Sequence, residues 1–436
     1  MLAVLLYYMA KYKLYQVLFD GILFMKKSQE GNTMFQLLLA IIYLAFISLG
    51  LPDSLLGSAW PAMYKELSVP VSYAGGISMI IAIGTIISSL QSDRLTRRFG
   101  TGKVTAFSVL MTAAALFGFS ISHSYIALCL WAIPYGLGAG SVDASLNNYV
   151  ALHYESRHMS WLHCMWGVGA SLGPYVMGYA LSGGQGWNMG YRYIALLQIA
   201  LTVILLFSLP LWKQKQDVKA GDHSGDESNN PLSLPEIIHI PGAKEVMVTF
   251  FCYCALEQTT GLWASSYLVL RRGLSADTAA SFASLFFVGI TAGRALSGFL
   301  TLKFNDTQMI RLGQGGILAG ILLLFLPFGN GSALAGLVLI GLGCAPVYPS
   351  IIHSTPEHFG VEKSQAMIGV QMASAYVGTC LMPPVFGLIA NHISAALLPL
   401  YLLVILALMI FAHGEMLKKV RGRNLAKCRT FIRSGH

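Results

Sequence analysis

Apolar residues along this chain gather in runs about as long as a bilayer is thick, and short polar breaks separate the runs. A helix crossing the hydrocarbon core needs about 20 such residues. Twelve segments qualify, centred on 34–58, 71–92, 102–121, 124–150, 160–183, 189–212, 243–270, 276–300, 308–328, 331–356, 363–390 and 394–413. Between the sixth and seventh, KQKQDVKAGDHSGDESNNPLSLPE carries no apolar period and reads as a polar linker. The pattern divides the chain into a bundle at 34–212, a linker at 213–242, a second bundle at 243–413 and a basic tail at 414–436.

The two bundles repeat each other. GLGAGSVDAS from Gly136 matches GLGCAPVYPS from Gly341, and GTIISSLQSDRLTRRFGT from Gly84 matches GITAGRALSGFLTLKFNDT from Gly289, both at an offset of 205. VGASLGPYVMG ending at Gly178 matches VGTCLMPPVFG ending at Gly387, offset 209, and LPDSLLG pairs Asp53 with Glu257 of LEQTTG at 204. Four matches in one order at nearly one offset indicate duplication. The predicted fold class is an all-α membrane protein of twelve transmembrane helices in two pseudo-symmetric six-helix bundles. That is the plan of a secondary transporter with its site between the halves. Gly136, Gly138, Gly140, Gly341 and Gly343 read as close helix contacts, and Gly167, Gly169 and Gly173 precede Pro174 as Gly378 precedes Pro383 and Pro384.

Composition agrees. Of 436 residues, 55% are hydrophobic and only 11% charged, against about 25% charged in soluble domains. Soluble enzymes, nucleic-acid binders and secreted scaffolds are excluded. The 28 lysines and arginines divide unevenly: with both termini and the linker on one side, that side holds 23, the other holds Lys65, Arg192, Arg271 and Arg272, and Arg294 lies within a span. The positive-inside rule therefore places both termini in the cytoplasm, and the expected location is the cytoplasmic membrane of a bacterium. The tail KKVRGRNLAKCRTFIR suits anionic lipid headgroups. Residues 1–33 form an N-terminal extension whose apolar run is broken by Lys11, Lys13 and Asp20. The favoured start is Met25; a native N-terminal peptide beginning upstream of it would contradict this. The seven cysteines show no metal or disulfide spacing and read as packing residues. No cofactor or metal is expected.

Few ionisable groups lie inside the spans: Asp53, Asp143, Glu257 and Arg294, with His163 titratable. Each costs about 2.5–3.5 kcal/mol or more at mid-bilayer unless paired or facing water, so such residues default to function. Asp53 in LGLPDSLLGSAWP follows a proline, and on an unbroken helix it shares a face with Gly57 and Trp60. An acid that binds hydroxyls beside a ring that stacks on a pyranose suits a sugar. Asp143 lies in GLGAGSVDASLNNYV with Asn147 one turn on and Asn148 adjacent. A carboxyl in so narrow a contact is stripped of water and suited to exchanging protons, with pairing to Arg294 or to a backbone donor as the structural alternative. Glu257, beside Gln258 and near Trp263, is a substrate ligand or a second coupling group. His163, Trp166 and Gly167 line one face of the fifth span; Gln371, Tyr376 and Tyr348 are weaker candidates in the second half. Asp93 with Arg94, Arg97 and Arg98 forms an acid–base cluster able to latch one conformation.

That cluster resembles the signature loop of the major facilitator superfamily, with Ser89 at its opening glycine position and Thr96 at the interior glycine. Spans, linker and repeat extend the resemblance over essentially the whole chain. Within the superfamily the chain is similar to the fucose:proton symporter-like branch of bacterial sugar permeases. There an acid after a short Pro turn in span one falls on Asp53, and an acid after a Gly-rich stretch preceding Asn falls on Asp143 and Asn147. A polar residue ahead of Gly-Ala in span five falls on His163. The resemblance implies that Asp53 recognises sugar hydroxyls, that Asp143 carries the proton, and that the protein is a monomer. The expected function is proton-coupled sugar import by alternating access, with sugar, protons and the lipid bilayer as partners and no nucleic acid. An exporter or drug antiporter of the same fold is the rival. A membrane enzyme or sensor is disfavoured, because no span carries HExxH or GxSxG.

Overall fold

The structure is a computed structural model describing residues 30–70, 73–220, 232–274, 276–326 and 329–434. Most of the predicted N-terminal extension, and residues 221–231 of the predicted linker, lie outside them. Among the described residues there is no strand, and twelve long helices account for the twelve predicted spans. The first span is α1 (Glu30–Asp53) followed by α2 (Leu55–Glu66). Pro52 lacks an N–H and crowds the preceding turn, and the chain breaks at Ser54 (φ −100°, ψ −3°) before resuming as α2. The half continues with α3 (Ala74–Phe99), α4 (Thr101–Ser120), α5 (Tyr125–His153), α6 (Ser156–Ser182) and α7 (Gly186–Ala220).

A short helix, α8 (Leu234–Ile238), opens the return from the linker, capped by Ser233 and Glu236. The second half comprises α9 (Ala243–Arg272), α10 (Ala276–Leu300), α11 (Asp306–Phe325), α12 (Gly329–His353), the short α13 (Thr355–Phe359), α14 (Val361–Ile389) and α15 (Leu398–Ser434). Two expected boundaries move. α7 runs on beyond residue 212, and the tail expected at 414 continues the last helix. Among the described residues, eight segments are long and apolar enough to cross a membrane; of these, 36–60 runs from α1 into α2 and 361–423 from α14 into α15.

The packing is the same in both halves: α1 on α6, α3 on α5 and α4 on α5 in the first, α9 on α14, α10 on α12 and α11 on α12 in the second. Without a hydrophobic force between helices in lipid, glycine is what lets backbones touch. A Cβ on Gly136 would lie 2.3 Å from the Ile81 carbonyl, and one on Gly341 would lie 2.2 Å from that of Phe286. Both glycines and both carbonyls stand 205 residues apart. Gly138 against Ser108 and Gly343 against Gly313 repeat at the same offset, each with its carbonyl 2.7 Å away. Gly169 meets Ile47 at 2.0 Å and Gly378 meets Phe251 at 2.4 Å, at the offsets of 209 and 204 read from the sequence. The duplication is thus a repeat of individual helix crossings.

Outer faces of α4, α7 and α15 are apolar and exposed, as at Phe107, Phe207 and Phe411, which is the surface a bilayer requires. Between the halves, α3 packs on α14 and α6 on α10, while α5 and α6 also meet α12. Gly169→Leu must push α1 and α6 apart and is expected to cost about 1–3 kcal/mol or more, read as a lower thermal midpoint in detergent. Gly57→Ala, with nothing within 4 Å of its Cβ, should leave the midpoint unchanged.

Candidate functional site

The break at Ser54 leaves Asp53 at the end of α1, turned inward. The Tyr135 hydroxyl of α5 donates to its Oδ1 at 3.1 Å, and the Trp166 indole N–H of α6 donates to Oδ2 at 2.9 Å. Asp53 is nonetheless exposed. Asp143, on the glycine-packed stretch of α5, is buried. Its Oδ1 accepts from Asn147 Nδ2 at 2.8 Å and its Oδ2 from the Tyr376 hydroxyl at 3.5 Å. Tyr376 belongs to α14, so this contact crosses between the halves. Asn147 Oδ1 in turn accepts from His163 Nε2 at 3.0 Å, which fixes the tautomer with its proton on Nε2. The imidazole is held edge-on by Tyr348 of the second half at 4.5 Å and by Phe46 at 5.5 Å.

The second half contributes an ion pair. Arg294 Nη2 of α10 lies 3.5 Å from Glu257 Oε1 of α9. The guanidinium also reaches the first half, its Cζ lying 5.5 Å from the centre of the Trp166 ring in a cation–π contact. A continuous path therefore runs Glu257–Arg294–Trp166–Asp53–Tyr135, with Tyr376–Asp143–Asn147–His163 beside it. Arg294 pairs with Glu257, not with Asp143. Both first-half acids are held by neutral donors.

The nine further predicted placements divide. Trp166, Asn147, His163, Glu257 and Tyr376 converge with Asp53 and Asp143, but four residues do not. Trp60 is buried in the first half's own core, because the break at Ser54 destroys the single helical face assumed for Asp53, Gly57 and Trp60. Gln371 is fully buried and bonds Thr355 Oγ1 at 3.1 Å. Trp263 is pinned by its N–H to the Pro383 carbonyl at 3.0 Å, inside the second half. Asn148 faces Ser364, whose hydroxyl donates to it at 2.6 Å. Tyr135 went unread, although it sits two turns before Asp143 on the same helix. Among the described residues, no cluster of His, Cys, Asp or Glu is placed to hold a metal.

Comparison with known proteins decides the family. The sequence profile of the Major Facilitator Superfamily matches residues 42–383 and 246–424. The chain belongs to the Major Facilitator Superfamily. It is a membrane transporter and not an enzyme. Among similar proteins are "Bypass of stop codon protein 6" of Saccharomyces cerevisiae, 22% identical over 86% of this chain and 82% of that one, and the "Hexuronate transporter" of Bacillus subtilis, 23% identical over 60% and 64%. The solved structure of the superfamily transporter FucP in its outward conformation has the same fold, with a TM-score of 0.67 at 16% identity, covering 86% of this chain and 98% of that one.

As a transporter of this superfamily the protein stands closed at the end where the linker joins. Asp93 pairs with Arg97 at 3.0 Å, and Arg97 Nη2 donates to the Glu362 carbonyl of α14 at 2.8 Å. Of the other predicted latch residues, Arg94 turns to Gln91 and Arg98 to the Phe99 ring. The unpredicted part of the closure is larger. Gln365 donates to Ser92 at 3.2 Å, Ser364 to Asn148, and His353 Nε2 to the Tyr154 carbonyl at 3.1 Å while its Nδ1 meets Asp306 at 2.6 Å. These contacts, and those at Asp143 and Trp166, run from the centre to the linker end. Cysteines placed at Asn148 and Ser364, with the native cysteines replaced, should cross-link under mild oxidation in the resting protein, so that the halves stay joined after proteolysis of the linker. Separation of the halves would contradict the closed state.

Proposed function

We propose that the protein imports a sugar with a proton, taking both from the open side of the cleft and releasing them at the linker end, which the charge distribution assigns to the cytoplasm. The observation that carries this reading is Asp143. It is buried, bonded only by neutral groups, and in contact with Tyr376 of the opposite half. A carboxyl held by neutral donors gains or loses a proton without stranding a buried counter-ion, unlike a member of a salt bridge. Protonation there also alters a contact that spans the halves, which is what couples a proton to rocking. Asp53, exposed beside the Trp166 indole, supplies a hydroxyl acceptor next to an aromatic face. Asn147 and His163 extend the polar wall. A relative named for hexuronate transport supports a sugar-like solute.

One proton moving through about 100 mV supplies roughly 2.3 kcal/mol, enough for about fifty-fold accumulation. A single exchangeable carboxyl therefore suffices. Asp143→Asn is expected to abolish accumulation against a gradient while retaining exchange of sugar for sugar in proteoliposomes. Equal loss of both activities would contradict the assignment. Asp53→Asn should instead weaken solute binding in both assays, read as a raised half-saturating concentration.

A further inference from the structure

The Glu257–Arg294 pair is incompletely made. Arg294 is 5% exposed, and its Nη2 stands 3.5 Å from Glu257 Oε1, beyond the roughly 2.7–2.9 Å of a charge-assisted hydrogen bond. Its Nε is buried without any hydrogen-bond partner. The Tyr253 hydroxyl stands beside the pair. A guanidinium presents a planar fork suited to a carboxylate at two points, yet here Glu257 engages one nitrogen at long range. Leaving a buried charged donor idle is costly. The guanidinium also lies over Trp166, whose indole holds Asp53. Of the two partners, Glu257 is the more exposed, 13% of its side chain against 6%.

We propose that Arg294 is the receptor for a carboxylate on the transported sugar, and that Glu257 is a resident stand-in which that carboxylate displaces. This rests on the sugar-import reading and narrows it to sugar acids such as hexuronates. The solute's carboxylate takes the guanidinium fork, and the released Glu257 carboxylate takes a proton from a hydronium ion of the open-side solvent, one O–H bond forming as one of hydronium's breaks to leave water. No covalent bond of the solute changes. One anion has entered and one has been neutralised, so the buried charge is unaltered and the centre stays affordable to the membrane. Titratable groups facing the pair are Tyr253 and Cys254 on α9, Cys344 and Tyr348 on α12, and His163 and Cys164 on α6. Of these, His163 is the type that ordinarily changes charge between about pH 5 and 8, so it requires its own control.

The test is counterflow by the full chain in proteoliposomes, without an ion gradient, at about pH 5.5 to 7.5 where a uronate stays ionised. Probes are labelled glucuronate and galacturonate, their neutral counterparts glucose and galactose, and 4-hydroxybenzoate as a carboxylate without a sugar. The uronates should be taken at least about ten-fold better than the hexoses, increasingly so as pH falls. Arg294→Gln should remove the preference and Arg294→Lys retain part of it. Glu257→Gln should hold uronate at least as well as the wild type and flatten the pH dependence, which should persist in His163→Gln. If Arg294→Gln does not fold, the double variant with Glu257→Gln leaves no stranded charge and carries the same expectation. Hexoses exchanged as well as uronates, or loss of uronate exchange in Glu257→Gln, would overturn the carboxylate site while leaving sugar import standing. Exchange of 4-hydroxybenzoate but of no sugar would support Arg294 as a carboxylate receptor and overturn the sugar reading.

Discussion

A charge inside a bilayer has no water to fall back on, and the interior of this transporter is organised around that constraint. Three carboxyls and one guanidinium meet near the junction of the halves, and each is accommodated differently. Asp53 is exposed, Asp143 is buried among neutral donors, and Glu257 leans on Arg294. The differences matter because a carboxyl beside a cation stays an anion for as long as that cation remains its partner, while one with neutral partners can change state. The aromatic residues serve the same end. Trp166 bonds Asp53 through its N–H and carries Arg294 on its ring face, so one side chain links the charge arrangement of one half to that of the other.

Duplication explains the frame, and its decay explains the site. Glycine crossings recur at 205, 204 and 209 residues with the same neighbours, since a shifted crossing would bury a side chain in a backbone. Between those fixed contacts the symmetry-related positions have diverged. Asp53 answers to Glu257, Asp143 to Tyr348 and Ser89 to Arg294 at those offsets. The first half thus holds two carboxyls in neutral settings, while the second holds a cation and an aromatic floor. A symmetric bundle with a different residue at each equivalent place can bind an asymmetric solute along its central axis.

The fold was legible because membrane spans declare themselves by length, and the acids were legible because each stands nearly alone in an apolar run. Orientation of side chains was not. Trp60 shares a helical face with Asp53 only if the helix continues, and Pro52 with Ser54 ends it. Gln371 and Asn148 are polar residues in spans, as a binding residue is, yet their partners, Thr355 and Ser364, sit on other helices and no spacing announces them. Asp93 and Arg97 could be paired by sequence because they lie one turn apart, whereas the reach of Arg97 to the backbone of Glu362 joins residues 265 positions distant. What escapes a single sequence is chiefly the contact between halves.

Those contacts are also of a telling kind. The closure at the linker end includes exchangeable polar bonds, hydroxyl to amide, amide to hydroxyl, guanidinium and imidazole to backbone carbonyls, beside one aromatic contact in which Trp161 of α6 packs on Phe299 of α10. Each such bond is worth about 0.5–1.5 kcal/mol net, and a partly exposed ion pair such as Asp93–Arg97 about 0–1. Several together hold a state without making it permanent, and water can replace each one when the end opens. A closure of interlocked apolar side chains would forfeit its burial on every cycle, and at roughly 25 cal/mol per Å² a few hundred Å² would exceed what one proton supplies. A carrier that must part its halves at modest energetic cost is therefore served by small polar contacts along the seam, and this chain places several of them where its two halves meet.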